Sequence, residues 1–231
     1  MTENCKIKVC GLRRPEDVDL ANRLCPDFIG FVFAGTKRKI TAERAAELKR
    51  ALRPEISAVG VFVNEPEDSV AELAERGIID LIQLHGEETA EYAVRLRQRT
   101  GKPVIRAVRV RTAENIAESA DFPADYLLFD AFRPGEYGGS GECFCWDEIV
   151  RADRLLAGRG RKLPPYFLAG GLTPENAAEA ARTGGPGNMP FALDVSSGVE
   201  TEGVKDAAKV EAFLCAVRGR TYWEQGYFGS N

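Results

Sequence analysis

The sequence predicts an α/β protein built as a single (β/α)8 TIM barrel. Two observations carry that reading. Short apolar segments alternate with helix-like segments eight times in succession. The 231 residues suit one such barrel, and no stretch between units is long enough to hold a second domain. An open doubly wound sheet would use fewer strands and would carry a G-x-G-x-x-G turn after strand 1, which is missing here.

The elements follow in order. In "KIKVCGL" (6–12), Lys6 and Lys8 alternate with Ile7 and Val9, a short period-2 pattern that ends at Cys10 and Gly11. A helix is expected from Pro15 to Leu24. "FIGFVF" (28–33) precedes a helix over 41–52, which Thr41 can cap. "SAVGVFV" (57–63) precedes one over 65–77, with Pro66 near its start and Gly77 after its end. "IDLIQLH" (79–85) leads to a helix over 87–101, and "PVIRAV" (103–108) to one over 112–120. "ADYLLFDA" (124–131) is followed by a glycine-rich loop and a helix over 146–157. "PYFLAGG" (165–171) precedes a helix over 173–184, and "PFALDVSS" (190–197) one over 206–218. Residues 219–231 form a short aromatic tail to the single domain 1–231.

Composition excludes several classes of function. Hydrophobic residues make up 44% and charged residues 29%, as in an ordinary globular domain. The formal net charge of -4 gives no reason to expect nucleic acid or an anionic membrane as partner. No apolar run reaches the roughly 18 residues of a membrane span, and the N-terminus lacks the pattern of a secretory signal. The six cysteines show no C-x-x-C pair, and one histidine gives little support to a zinc site. A cytoplasmic protein with reduced thiols and no metal is the plain reading.

In a (β/α)8 barrel the chemistry sits at the C-terminal strand ends and the loops that follow them. Those positions supply Cys10, Gln83, His85, Arg106, Arg109, Asp130 and Asp194. Cys10 and Asp130 come from roughly opposite strands, so they could contact opposite ends of one small substrate. Glycine-rich loops follow strands 6, 7 and 8. They contain Gly139 and Gly141, then Gly170 and Gly171, then Ser196, Ser197 and Gly198. Backbone N–H groups in such loops can cradle an anion, and these barrels place phosphate after strands 7 and 8.

The segments "KVCGL", "GFVFAGTKRKIT", "GVFVN", "IQLHG", "LLFDA…GGSG…FCW", "LAGGLTPEN" and "DVSSGVE…GVKD" run in order from about residue 6 to 218. Together they resemble the phosphoribosylanthranilate isomerase family. The resemblance implies a (β/α)8 barrel and an Amadori rearrangement in tryptophan biosynthesis, from N-(5-phosphoribosyl)anthranilate to 1-(2-carboxyphenylamino)-1-deoxyribulose 5-phosphate. It implies Cys10 as general base, Asp130 as general acid, Arg38 as ligand of the anthranilate carboxylate and Asp194 near the amine nitrogen. Gln83 and His85 are expected at the edge of the substrate site, outside the mechanism, and the resemblance implies that the glycine and serine loops hold the phosphate.

The chemistry implied needs no cofactor, because the imine formed on ring opening is the electron sink. The resemblance also implies a small phosphosugar as partner, and the chain is expected to be a monomer or homodimer. A base role requires the Cys10 thiolate, yet no lysine or histidine stands next to it in sequence to lower its pKa. Two positions depart from the family pattern. Glu142 replaces a lysine beside the strand-6 loop, and Cys145 replaces an acid before the tryptophan. The related histidine-pathway isomerases commonly use two aspartates, one where Cys10 stands here. Indole-glycerol-phosphate synthases need a lysine and a glutamate at strand ends, and none fits. A phosphosugar-binding barrel without catalysis is the remaining alternative, and retention of both Cys10 and Asp130 argues against it.

Overall fold

A computed structural model describes residues 5–35, 37–131, 145–185 and 187–219. Gly139, Gly141, Glu142, Cys143 and the tail from residue 220 lie outside the described residues. Eight parallel strands close into a barrel in chain order: β1 (Lys6–Cys10), β2 (Phe28–Val32), β3 (Ser57–Phe62), β4 (Leu81–Leu84), β5 (Val104–Val110), β6 (Tyr126–Ala131), β7 (Tyr166–Leu168) and β8 (Ala192–Val195). The β1–β8 pairing shuts the ring and sets Lys8 opposite Asp194.

Helices α1 (Pro15–Leu24), α2 (Ala42–Ala51), α3 (Glu67–Glu75), α4 (Ala90–Thr100), α5 (Ala113–Ser119), α6 (Asp147–Ala157), α7 (Ala177–Ala180) and α8 (Ala207–Arg218) follow the strands. Several begin later than the sequence suggested because a side chain caps them. Thr41, Thr89, Thr112 and Asp206 each accept a hydrogen bond from the backbone N–H three residues on. The expected helix over 173–184 is the main difference. Only Ala177–Ala180 is α-helical, because the Asn176 side chain accepts from Thr173 N–H in a local turn and Gly184, at φ +88°, closes the far end. A 3-10 turn (Ser197–Val199) and a two-stranded hairpin, β9 (Glu200–Thr201) and β10 (Val204–Lys205), follow β8 and were not anticipated.

Among the described residues, two apolar cores result. The larger lies between strands and helices and takes Ile7, Val9, Ile29, Phe31, Ile82 and Phe129 from the outward faces of the strands. The smaller fills the lower barrel with inward residues: Phe28, Val59, Leu81, Ile105, Leu128, Phe167 and Ala192, closed by Tyr126 and Phe191. A barrel strand therefore has no solvated face. On β1 the residues alternating with Ile7 and Val9 point into the ring, and Lys8 is fully buried there. Arg106 shows the converse. It alternates with the inward Ile105 and Ala107, pairs with buried Glu88 at 3.0 Å and lies over the Phe122 ring, so it leaves the catalytic face that strand-end position alone suggested.

Candidate active site

Above the apolar plug the inward residues become polar. A cleft of about 460 Å³ opens at the C-terminal strand ends. It brings together Cys10, Arg38, Gln83, His85, Asp130, Gly170, Gly171, Asp194, Ser196, Ser197 and Gly198, whereas Arg106 and Arg109 are not among its lining residues. Gln83 and His85 stand in its wall, with Val61 and Val63 beside them.

Cys10 sits at the end of β1, paired in register with Gly30 of β2. A Cβ on residue 30 would stand 2.5 Å from the Cys10 sulfur, so glycine there leaves the thiol its place. Burial pushes the thiol pKa up; the ammonium groups of Lys8 and Lys205 pull it down without reversing that shift. The cation missing from the immediate sequence neighbours of Cys10 is thus Lys8, two residues earlier on the same strand face.

The Lys8 Nζ donates to Asp194 Oδ2 at 2.8 Å and to Gln83 Oε1 at 2.9 Å. Burial alone would lower the Lys8 pKa, but Asp194 and Cys10 more than offset it and hold the ammonium above its ordinary value. Burial pushes Asp194 upward against the pull of Lys8. Asp194 Oδ1 is buried and makes no hydrogen bond among the described residues, an acceptor suited to a donor in the cleft.

Asp130, at the end of β6, accepts from Ala131 N–H through Oδ1 at 2.9 Å. Its Oδ2 lies 3.5 Å from Nε2 of His85. Gly170 lets the β7 loop close on this carboxyl. At φ +81°, it brings the β7 loop so close that a Cβ would stand 2.6 Å from Ala131 N and 2.9 Å from Asp130 Oδ1.

Arg38 reaches the cleft rim from the β2–α2 loop. Its stem lies over Gly11, where a Cβ would stand 2.5 Å from Arg38 Cδ. Nε and Nη2 form a two-pronged bridge to Glu200 at 2.8 and 2.7 Å, and Glu200 also accepts from Lys205 Nζ at 2.7 Å. Burial pushes the Glu200 carboxyl up, but Arg38 and Lys205 outweigh it and lower its pKa from 4.5 to about 2. The hairpin sets this pair in register, since β9 carries Glu200 and β10 carries Lys205.

The loops after β7 and β8 are locked together. A Cβ on Gly198 would collide with the Leu172 carbonyl oxygen. Asn176 Nδ2 donates to Gly171 O at 3.0 Å, and the Ser196 hydroxyl donates to Cys10 O at 3.0 Å. Ser196 thereby ties the β8 loop to the proposed base. Lys8, Glu200, Lys205 and Asn176 were not singled out in the sequence. A signal existed for Lys8, which shares a strand face with Cys10.

The family model for N-(5'-phosphoribosyl)anthranilate isomerase matches residues 7–216. N-(5'-phosphoribosyl)anthranilate isomerase of Acetivibrio thermocellus is 43% identical over 218 residues, covering 92% of this chain and 95% of the relative. That of Endomicrobium trichonymphae is 46% identical over 205 residues, covering 89% and 94%. The crystal structure of phosphoribosyl anthranilate isomerase from Thermus thermophilus superposes with a TM-score of 0.77 at 36% identity, over 93% of this chain and 98% of that one. A phosphoribosyl anthranilate isomerase in complex with reduced 1-(o-carboxyphenylamino)-1-deoxyribulose 5-phosphate superposes with a TM-score of 0.73 at 31% identity, over 94% of this chain and 100% of that one. The fold, the cleft and these likenesses agree, and the chain belongs to the N-(5'-phosphoribosyl)anthranilate isomerase family.

Proposed function

We propose that this barrel carries out the isomerase reaction of tryptophan biosynthesis with Asp130 as general acid and Cys10 as general base. The observation that carries the assignment is that one cleft holds the thiol from β1 and the carboxyl from β6, with the Lys8 ammonium buried beside the thiol. Asp130 gives a proton to the furanose oxygen as the C1–O bond breaks, leaving an iminium at C1. The iminium acidifies the C2–H, and the Cys10 thiolate removes that proton to give the enolamine, which tautomerises to the ketone. As the thiol loses its proton, it gains the attraction of Lys8 and Lys205. The substrate's own imine takes up the electrons, so the reaction needs no cofactor.

Arg38 binds the anthranilate carboxylate. Its bridge to Glu200 uses Nε and Nη2, which fixes the guanidinium plane while Nη1 takes no part in that bridge. Asp194 Oδ1 accepts the anthranilate N–H, and the loops holding Gly170, Gly171, Ser196, Ser197 and Gly198 bind the phosphate. Gly139 and Gly141 would join them from the β6 loop. We place the protein in the cytoplasm as a monomer or homodimer. No helix among the described residues is long and apolar enough to cross a membrane. The test is direct: purified protein is mixed with freshly prepared N-(5-phosphoribosyl)anthranilate and the loss of substrate fluorescence is followed. Fast loss is expected; a rate equal to that in buffer refutes the assignment.

A further inference from the structure

A hydrogen-bonded chain crosses the barrel interior from beneath the proposed base toward the proposed acid. Lys8 Nζ meets Gln83 Oε1 at 2.9 Å, Gln83 Nε2 meets His85 Nδ1 at 3.0 Å, and His85 Nε2 points to within 3.5 Å of Asp130 Oδ2. The chemistry of the first member decides the rest. An ammonium has donors only, so the amide atom facing it must be the oxygen. The amide nitrogen then faces His85 and donates, which makes Nδ1 the acceptor and leaves the ring proton on Nε2. Nε2 is buried and makes no hydrogen bond among the described residues, although the cleft lies beside it.

We propose that Lys8 and Gln83 are positioning residues that fix the tautomer of His85, so that its Nε2–H is a donor to the substrate oxygen served by Asp130. The identity of that oxygen rests on the isomerase reading; the tautomer does not. The opposite tautomer would turn a lone pair toward Asp130 and compete with the furanose oxygen for the acid's proton. With Nε2 protonated, His85 and Asp130 both direct hydrogens at the oxygen whose bond to C1 breaks. Lys8 thus serves both halves of the site: its charge lies by the thiol, and its hydrogen bond orients the amide that orients the imidazole.

His85 is the only histidine in the chain, so its ring can be read without assignment. The full-length protein is labelled with ring-15N histidine, and long-range 1H–15N spectra are recorded without substrate. The expected spectrum has a protonated Nε2 and an unprotonated Nδ1; a proton on Nδ1 overturns the relay. Gln83→Glu keeps the shape but removes the donor. It should protonate Nδ1 and lower kcat about tenfold or more while circular dichroism stays native. A switched ring with normal kcat overturns the catalytic use of the tautomer, and an unswitched ring overturns the role of Gln83. Lys8→Met combined with Asp194→Asn removes the ion pair as a unit and frees the amide to turn, so both tautomers should appear; one unchanged tautomer overturns the role of Lys8. The spectra need no substrate. Absent turnover in a wild-type protein with Nε2 protonated therefore overturns the reading of the oxygen and not that of the ring.

Discussion

The lower and upper halves of the barrel interior are built on the same strands and obey opposite rules. Below, Phe28, Phe167 and Phe191 pack with ring centroids 5.5–6.2 Å apart, and Tyr126 stands 4.7 Å from Phe191. Above, on β1, β4, β6 and β8, stand Lys8, Gln83, Asp130 and Asp194, all buried or nearly so. The lower half gains stability from apolar area removed from water. The upper half places charges where water is scarce, which costs free energy unless each charge finds a partner. The difference teaches that one half supports the fold and the other spends that support on chemistry. Substitutions in the two halves should therefore separate stability from turnover.

The largest expected effect is on turnover in the upper half. Cys10→Ser should bind substrate and lose about 10²–10⁴-fold in kcat, with little change in the unfolding midpoint. Asp130→Asn should behave alike. A near-normal rate in either variant, measured by substrate fluorescence, removes that residue from its role. The counterpart below is Phe167→Ala, which empties part of a fully buried site. It should cost about 3–5 kcal/mol of stability in urea unfolding. Turnover per folded molecule should hold; a selective loss of kcat would break the division between the halves.

The rim offers a sharper case, because Glu200 joins the two concerns. Its pKa is lowered from 4.5 to about 2, so its contribution to stability is fully present above pH 4.5 and is lost as the pH falls toward 2. Glu200→Gln should lower stability at pH 7 by up to about 3 kcal/mol, and the deficit should shrink across that window. A deficit that stays constant from pH 7 down to the foot of the window would show that the ion pairs are not its source. The variant should also raise KM more than it lowers kcat, because the freed Arg38 loses its orientation.

The fold was legible because strands and helices alternate with clear local signals, and the closed ring with β1 beside β8 matches that reading. The site was legible where position in the barrel selects residues, as for Cys10, Asp130 and Asp194. Lys8 was not found because a period-2 pattern presents Ile7 and Val9 as the apolar face, whereas a barrel strand buries both faces. Arg106 was misplaced for the same reason, since its position at a strand end says nothing about the direction of its side chain. Glu200 and Lys205 belong to a hairpin of two-residue strands, too short to announce itself by periodicity. Asn176 acts through a local turn that competes with the helix its neighbours suggest.

The smallest predicted effect tests the floor of the barrel. Phe191 is only partly buried, yet it meets Tyr126, Phe167 and Phe28, and the Lys6 ammonium stands 5.0 Å from its centroid. Phe191→Leu keeps an apolar side chain and removes the ring interactions, which should cost about 1 kcal/mol. The same substitution should leave kcat and KM unchanged, because Phe191 packs on the apolar plug and does not line the cleft. If kcat fell while stability held, packing at the floor would be setting the geometry of the charges above. The two halves would then be one mechanical unit, and the polar network would depend on the apolar plug for its positions as well as for its support.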